Sequence, residues 1–300
     1  MPGHKAGFVA VVGRPNVGKS TMMNALLGQP VSAVSARPQT TRRNQLGILT
    51  LENAQIVFVD TPGLHEERNK LGEFMNEQAI AALEDADVIL FLADASETPN
   101  KEDKLLAKKV EGASQPVVLA LNKADLINEQ QMDQRRKEYG SLVKSMHTLQ
   151  ASAVERAGLA ELLGVLLELI PGGEAYYPEE QVTDLYEKQI AADLIRAAAL
   201  GTLRDEVPHG IAVRIDSFVE RGDAGARIEA TLFVERESHK GIVIGEGGKM
   251  IKEIGSKARK EIEAMSRRKV FLDLRVKVKA NWRQDEKELQ RFGYSRKEEK

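Results

Sequence analysis

Short apolar runs recur along the first half of the chain, each followed by a longer stretch in which apolar residues repeat every three or four positions. The runs fall near 7–12, 46–51, 54–60, 87–93, 116–121 and 148–151, and the longer stretches near 19–28, 70–83, 101–111, 129–145 and 159–169. Such alternation predicts an α/β domain with a doubly wound parallel sheet covered on both faces. The stretch 159–170 is apolar around much of its circumference and is expected to pack on the sheet. Pro171, Gly172 and Gly173 stop it, and 174–183 reads as a linker.

Beyond the linker the pattern changes to helix, strand, strand, helix, loop, helix, strand. Helical spacing covers 185–204 and breaks at Pro208-His209-Gly210, while 211–219 and 227–234 alternate as half-buried strands do. Gly222, Asp223 and Gly225 supply their turn. Helical signals resume around 242–244 and over 250–265, separated by Gly245-Glu246-Gly247-Gly248, and a last strand covers 270–278. A short helix near 284–291 and a polar tail at 296–300 complete the chain. The expected division is a first domain over 1–172, a linker over 173–183 and an α+β domain over 184–300.

Four short stretches carry the chemistry. Gly13-Arg14-Pro15-Asn16-Val17-Gly18-Lys19-Ser20, continued by Thr21, lies between a strand pattern and a helix pattern. In that context its glycines let successive N–H groups face phosphate oxygens, Lys19 reaches the β- and γ-phosphates, and Ser20 offers a hydroxyl to Mg²⁺. Asp60-Thr61-Pro62-Gly63 follows another strand, where Asp60 can hold Mg²⁺ through water and the Gly63 N–H can meet the γ-phosphate. In Asn122-Lys123-Ala124-Asp125 the last carboxylate can accept two hydrogen bonds from guanine, whose counterpart adenine offers no donor there. Ser152-Ala153 matches a backbone donor to guanine O6. The four together read as a GTP/GDP site.

Composition trims the alternatives. The chain of 300 residues has no cysteine, which excludes disulfides, thiolate zinc sites and cysteine nucleophiles. Its start is short and polar, and no run approaches the ~20 apolar residues of a membrane span, so a cytoplasmic, soluble protein without a signal peptide is expected. A net charge of −2 conceals a basic stretch, with 13 Lys/Arg against 5 Asp/Glu over 240–283. Such a local field suits a polyanion.

The Gly245-Glu246-Gly247-Gly248 loop sits between two helix patterns, after two strands and before a third. This order resembles a type II KH domain, in which a G-x-x-G loop lies against the backbone of four nucleotides. Lys249 and Lys252, with Lys257, add charge beside it. A P-loop GTPase domain joined to such a domain resembles the Era-type GTPases. Arg37-Pro38-Gln39-Thr40-Thr41-Arg42, Lys277-Val278-Lys279-Ala280-Asn281-Trp282 and Gly293-Tyr294 extend the resemblance over nearly the whole chain. It implies a GTP-hydrolysing switch that binds 16S rRNA near its 3′ end, acts in assembly of the 30S ribosomal subunit as a monomer, and touches the inner membrane peripherally.

Within that resemblance, Thr41 is expected to be the switch threonine on Mg²⁺, with Thr40 the alternative. Arg37, Arg42 and Arg43 read as solvent-exposed loop charge rather than an arginine finger. Leu64 stands where Ras-like enzymes carry their water-orienting glutamine, so hydrolysis is expected to be slow. Asn16 resembles the asparagine of relatives thought to bind K⁺ beside the phosphates, which would make it catalytic together with Lys19 and Thr41. Two other classes compete. A tRNA-modifying GTPase of the same superfamily requires a C-terminal catalytic cysteine, which is lacking. An RNA-binding scaffold with structural GTP would have no need of Lys19, Ser20 and Asp60.

Overall fold

Residues 3–35, 40–63, 69–185, 187–220 and 225–294 are described by the structure, a computed structural model. They fall into two units, the first drawn from Met1–Ser32, Thr41–Glu66 and Met75–Asp184, the second from Ala33–Thr40, Glu67–Phe74 and Leu185–Lys300.

In the first unit the strands are β1 (Lys5–Val12), β2 (Gln45–Leu51), β3 (Ala54–Asp60), β4 (Val88–Asp94), β5 (Val117–Asn122) and β6 (His147–Gln150). They form one sheet in the order β2-β3-β1-β4-β5-β6. The helices are α1 (Lys19–Leu27), α3 (Lys101–Val110), α4 (Glu129–Leu142) and α5 (Leu159–Leu169), together with α2 (Lys70–Glu84), which belongs to this unit from Met75 onward. Alternate residues of the central strands feed two cores. Val9, Val11, Leu90 and Leu92 meet Met22, Met23, Leu162 and Leu166 of α1 and α5, whereas Ala10, Val12, Phe91 and Ala93 meet Leu83, Leu106 and Met132 of α2, α3 and α4.

The sheet departs from the all-parallel expectation at one edge, where β2 runs antiparallel to β3. Only Glu52 and Asn53 join these strands, and two residues can close a hairpin but not the crossover that a parallel pair requires. The stretch read as a linker is bonded along this edge. Gln55 accepts from the N–H groups of Tyr176 and Tyr177 and donates to the Tyr177 carbonyl, and Ile48 N–H donates to the Val182 carbonyl.

Elsewhere the register does the positioning. Val11 pairs with Asp60, Val12 with Phe91, Asp94 with Asn122 and Leu121 with Gln150. The carboxyl ends of β1, β3, β4, β5 and β6 therefore point to one sheet edge, with β4 running three residues past the partner of Val12, and the loops that follow them share that edge.

The second unit has β7 (Ala212–Glu220), β8 (Ala226–Val234) and β9 (Val270–Val278), with α6 (Glu187–Thr202), α7 (Glu237–Ile244), α8 (Lys249–Ser266) and α9 (Glu286–Arg291). β7 and β8 pair antiparallel, β8 and β9 parallel. Leu194 and Ile195 of α6 and Ile254, Ala258 and Ile262 of α8 pack on Ile228, Ala230 and Leu232 of the sheet. The element order is the one expected from the sequence. The turn at Gly222 and Asp223 and the 296–300 tail lie outside the described residues. Among the described residues, no helix is long and apolar enough to cross a membrane.

Candidate nucleotide site and nucleic-acid interface

The loop between β1 and α1 is held by the end of β5. Gly18 has φ 98°, and a Cβ there would lie 2.6 Å from Asn122 Nδ2, so this position requires glycine. Asn122 Nδ2 donates to the Val17 carbonyl at 2.7 Å, and its Oδ1 accepts the Ala153 N–H at 3.0 Å. Asn16 also adopts a left-handed conformation, with φ 66°. The Lys19 ammonium is buried and donates to the carbonyls of Gly13 at 2.8 Å and Arg14 at 3.0 Å. Burial lowers its pKa to about 8, with the neighbouring charge of Asp60 opposing the shift.

Three oxygens from separate segments converge beside Lys19. Ser20 Oγ donates to Asp60 Oδ2 at 2.7 Å, Thr41 Oγ1 donates to the same atom at 3.2 Å, and the two hydroxyls lie 3.1 Å apart. Asp60 is fully buried, and among the described residues its Oδ1 has no hydrogen-bond partner. Burial pushes its pKa up, against the hydrogen bonds from Ser20 and Thr41 and the charge of Lys19. A buried carboxylate oxygen left over beside two hydroxyls fits a hard divalent cation. Among the described residues no group of three His, Cys, Asp or Glu is placed to hold a metal ion, so the donor set resembles a Mg²⁺ site completed by phosphates rather than an all-protein cage. Thr61, Pro62 and Gly63 are buried after Asp60, and Thr61 Oγ1 donates to the Val11 carbonyl at 2.8 Å.

Lys123 takes a left-handed conformation (φ 64°), and Asp125 stands exposed in the single 3-10 turn Ala124–Leu126. Beside them, the N–H of Ser152 donates to the Ala157 carbonyl at 3.0 Å. The Ala153 N–H is thus already engaged by Asn122.

In the second unit, Gly245 (φ 70°) and the 3-10 turn Glu246–Gly248 connect α7 to α8. Gly248 caps α8 with no side-chain hydrogen bond, leaving that helix end open to an anion. Lys249 and Lys252 are exposed on the first turn of α8. Lys257 is paired with Glu253 at 2.7 Å, which discounts its contribution. The loop therefore presents backbone and two exposed ammonium groups, as a phosphate chain requires.

Two family models match the chain, one described as a 50S ribosome-binding GTPase over residues 8–123 and one as a KH domain over residues 206–283. GTPase Era of Halothermothrix orenii is 45% identical over 291 residues, which is 97% of this chain and 99% of the relative. This chain belongs to the Era GTPase family. Two Era crystal structures share 39% identity and a TM-score of 0.90 with it, each covering 97% of this chain and 99% of the other. One holds MgGDPNP and nucleotides 1506–1542 of 16S ribosomal RNA. The other is a single-residue variant of Aquifex aeolicus Era bound to GDP·AlF4⁻.

The Era-family chain is thus a GTPase with a KH domain. One expectation needs correction. Arg42 is 1% exposed rather than solvated loop charge, and a guanidinium withdrawn from water keeps protein partners. Arg37 and Leu64 lie outside the described residues. Sequence reasoning missed the acidic side of the site, made by Asp94, Glu97 and Asp103, toward which the Arg14 side chain points. A signal was available, since Asp94 ends the apolar run of β4 just as Asp60 ends that of β3.

Proposed function

We propose that this chain is a nucleotide-controlled RNA-binding switch that engages 16S rRNA near its 3′ end during assembly of the 30S subunit. One observation carries the reading: a GTP site and a G-x-x-G turn with exposed Lys249 and Lys252 occur together in one chain. In it, Gly13 to Thr21 cradle the phosphates and Lys19 neutralises them. Ser20, Thr41 and Asp60 hold Mg²⁺, which supplies charge stabilisation at the transferring phosphoryl group. The convergence of these three oxygens, with Asp60 Oδ1 unpartnered, supports Thr41 over Thr40 as the switch threonine. Asp125 reads guanine through N1–H and N2–H₂. Asn16 assists hydrolysis by holding K⁺ beside the phosphates, a role compatible with its left-handed backbone.

Gly245 to Lys249, with Lys252, bind the RNA backbone. A cytoplasmic monomer with peripheral inner-membrane contact belongs to the same reading and rests on the family resemblance alone. The test is single-turnover GTP hydrolysis with and without an oligomer of the rRNA 3′ end. Binding of the oligomer together with a change in rate supports the switch, and a rate and nucleotide affinity indifferent to bound RNA contradict it.

A further inference from the structure

The carboxylate of Asp94 lies where two cations of the nucleotide site meet. Asp94 is the last residue of β4, and its pairing with Asn122 sets it beside the start of the Asn122–Asp125 loop. Its side chain is 2% exposed. One oxygen, Oδ1, accepts the N–H of Ser96 at 3.0 Å and the Ser96 hydroxyl at 2.6 Å, so the carboxylate cannot turn freely. The other, Oδ2, accepts from Lys123 Nζ at 2.5 Å and lies 3.5 Å from an Arg14 guanidinium nitrogen. Despite its burial, which opposes ionisation, these hydrogen bonds and the Lys123 charge hold its pKa below the usual carboxylate value.

Arg14 extends the arrangement. It belongs to the phosphate loop, yet its side chain turns to the acidic groups, with Nε 3.3 Å from Asp103 Oδ2 and a terminal nitrogen 2.6 Å from Glu97. Asp103 is fully buried, and its Oδ2 also accepts the Asn100 N–H at 3.0 Å as part of the α3 capping box. The phosphate loop is thereby tied to the N-terminus of α3, and the base-reading loop to the end of β4. Asp94 is the group common to both.

We propose that Asp94 is a positioning residue for guanine nucleotides, fixing Lys123 and Arg14 so that the phosphate loop and the base-reading loop keep the spacing one bound nucleotide demands. Lys123 precedes Asp125 by two residues and holds a left-handed backbone that a lysine does not favour. Anchoring its ammonium on Asp94 holds the turn that carries Asp125. Without the carboxylate, the half-buried Lys123 loses its anchor and Arg14 keeps only Glu97 and Asp103, so the base-reading loop loosens and its tie to the phosphate loop is lost. Phosphoryl transfer depends on Lys19 and on the Mg²⁺ ligands, so the effect falls on nucleotide retention. The inference concerns the GTP site and does not depend on RNA.

The test is GDP binding and dissociation, followed with a fluorescent GDP, in the full chain carrying Asp94→Asn, Asp94→Glu, Lys123→Ala or both Asp94→Asn and Lys123→Ala. Asp94→Asn, which keeps shape and removes charge, is expected to weaken GDP about tenfold or more, chiefly through faster release, with kcat at saturating GTP within about threefold. Asp94→Glu is expected to recover most of the loss. In the Lys123→Ala background, Asp94→Asn should add at most about a twofold effect, because a residue acting through its neighbour is not additive with it. Unchanged GDP release in Asp94→Asn, or full additivity with Lys123→Ala, overturns the proposal. Should Asp94→Asn not fold, Ser96→Ala reads the same constraint more gently. A faster GDP release supports the proposal, and an unchanged one overturns it.

Discussion

Asn122 joins three loops through one buried amide, donating to the Val17 carbonyl at 2.7 Å and accepting the Ala153 N–H at 3.0 Å. Neither contact needs nucleotide. Asn122→Ala therefore leaves a buried acceptor and a buried donor unpaired, a loss of about 2–4 kcal/mol in the unfolding free energy of the nucleotide-free protein. Urea denaturation without nucleotide measures it. A side chain serving the ligand alone would leave that stability unchanged.

Asp125 is the opposite case, exposed in its short turn and free to face a ligand. Asp125→Asn is expected to cost on the order of 2–4 kcal/mol in GTP affinity and to shift preference toward xanthosine nucleotides, whose C2 carbonyl suits an amide donor. Nucleotide-free stability should move by less than about 0.5 kcal/mol. Equal GTP and XTP affinities in parent and variant would remove Asp125 as the guanine reader.

Turnover without a partner is expected to be slow, at or below about 10⁻² s⁻¹, because Leu64 can neither donate nor accept a hydrogen bond to the attacking water. Leu64→Ala should leave the single-turnover rate within about threefold. K⁺ should accelerate the parent relative to Na⁺, and Asn16→Asp should change that dependence. Identical rates in the two salts would eliminate the cation role of Asn16.

The Gly245–Lys249 turn can be tested without unfolding it. A Cβ on Gly247 would meet nothing within 4 Å, and one on Gly248 only Ile251 Cγ2 at 4.0 Å. Their φ values of 58° and 77° make substitution strained but tolerable for aspartate. Replacing both by Asp should abolish RNA binding while GDP affinity stays as in the parent. RNA binding retained by a folded double variant would place the interface elsewhere.

Much of this was legible because the chemistry is local. Gly13 to Ser20, Asp60 to Gly63 and Asn122 to Asp125 each follow an apolar strand directly, so the strand pattern alone places them on one edge of a sheet. The antiparallel edge was less visible. It turns on Glu52 and Asn53 being too few to cross over, a signal outweighed by the βα rhythm around them. Of the acidic groups behind Arg14 only Asp94 left a mark in the sequence, at the end of an apolar run, since Glu97 and Asp103 reach Arg14 only through the fold that brings the cap of α3 to it. Burial of Arg42 is a tertiary outcome of the same sort, where sequence offers only a charge in a loop.

Nucleotide state is expected to govern RNA binding. Thr41 and Gly63 are the groups expected to sense the γ-phosphate, whose contacts order such loops and whose loss releases them. The direct measurement is affinity for an oligomer of the 16S rRNA 3′ end, at one fixed salt concentration, with a non-hydrolysable GTP analogue and with GDP. Salt must be held because phosphate contacts make affinity steeply salt-dependent. Binding is expected to be tighter with the analogue by roughly five- to a hundredfold, a coupling of about 1–3 kcal/mol, with an equal gain in analogue affinity when RNA is bound. Equal RNA affinities in the two states would contradict it, leaving two independent modules on one chain.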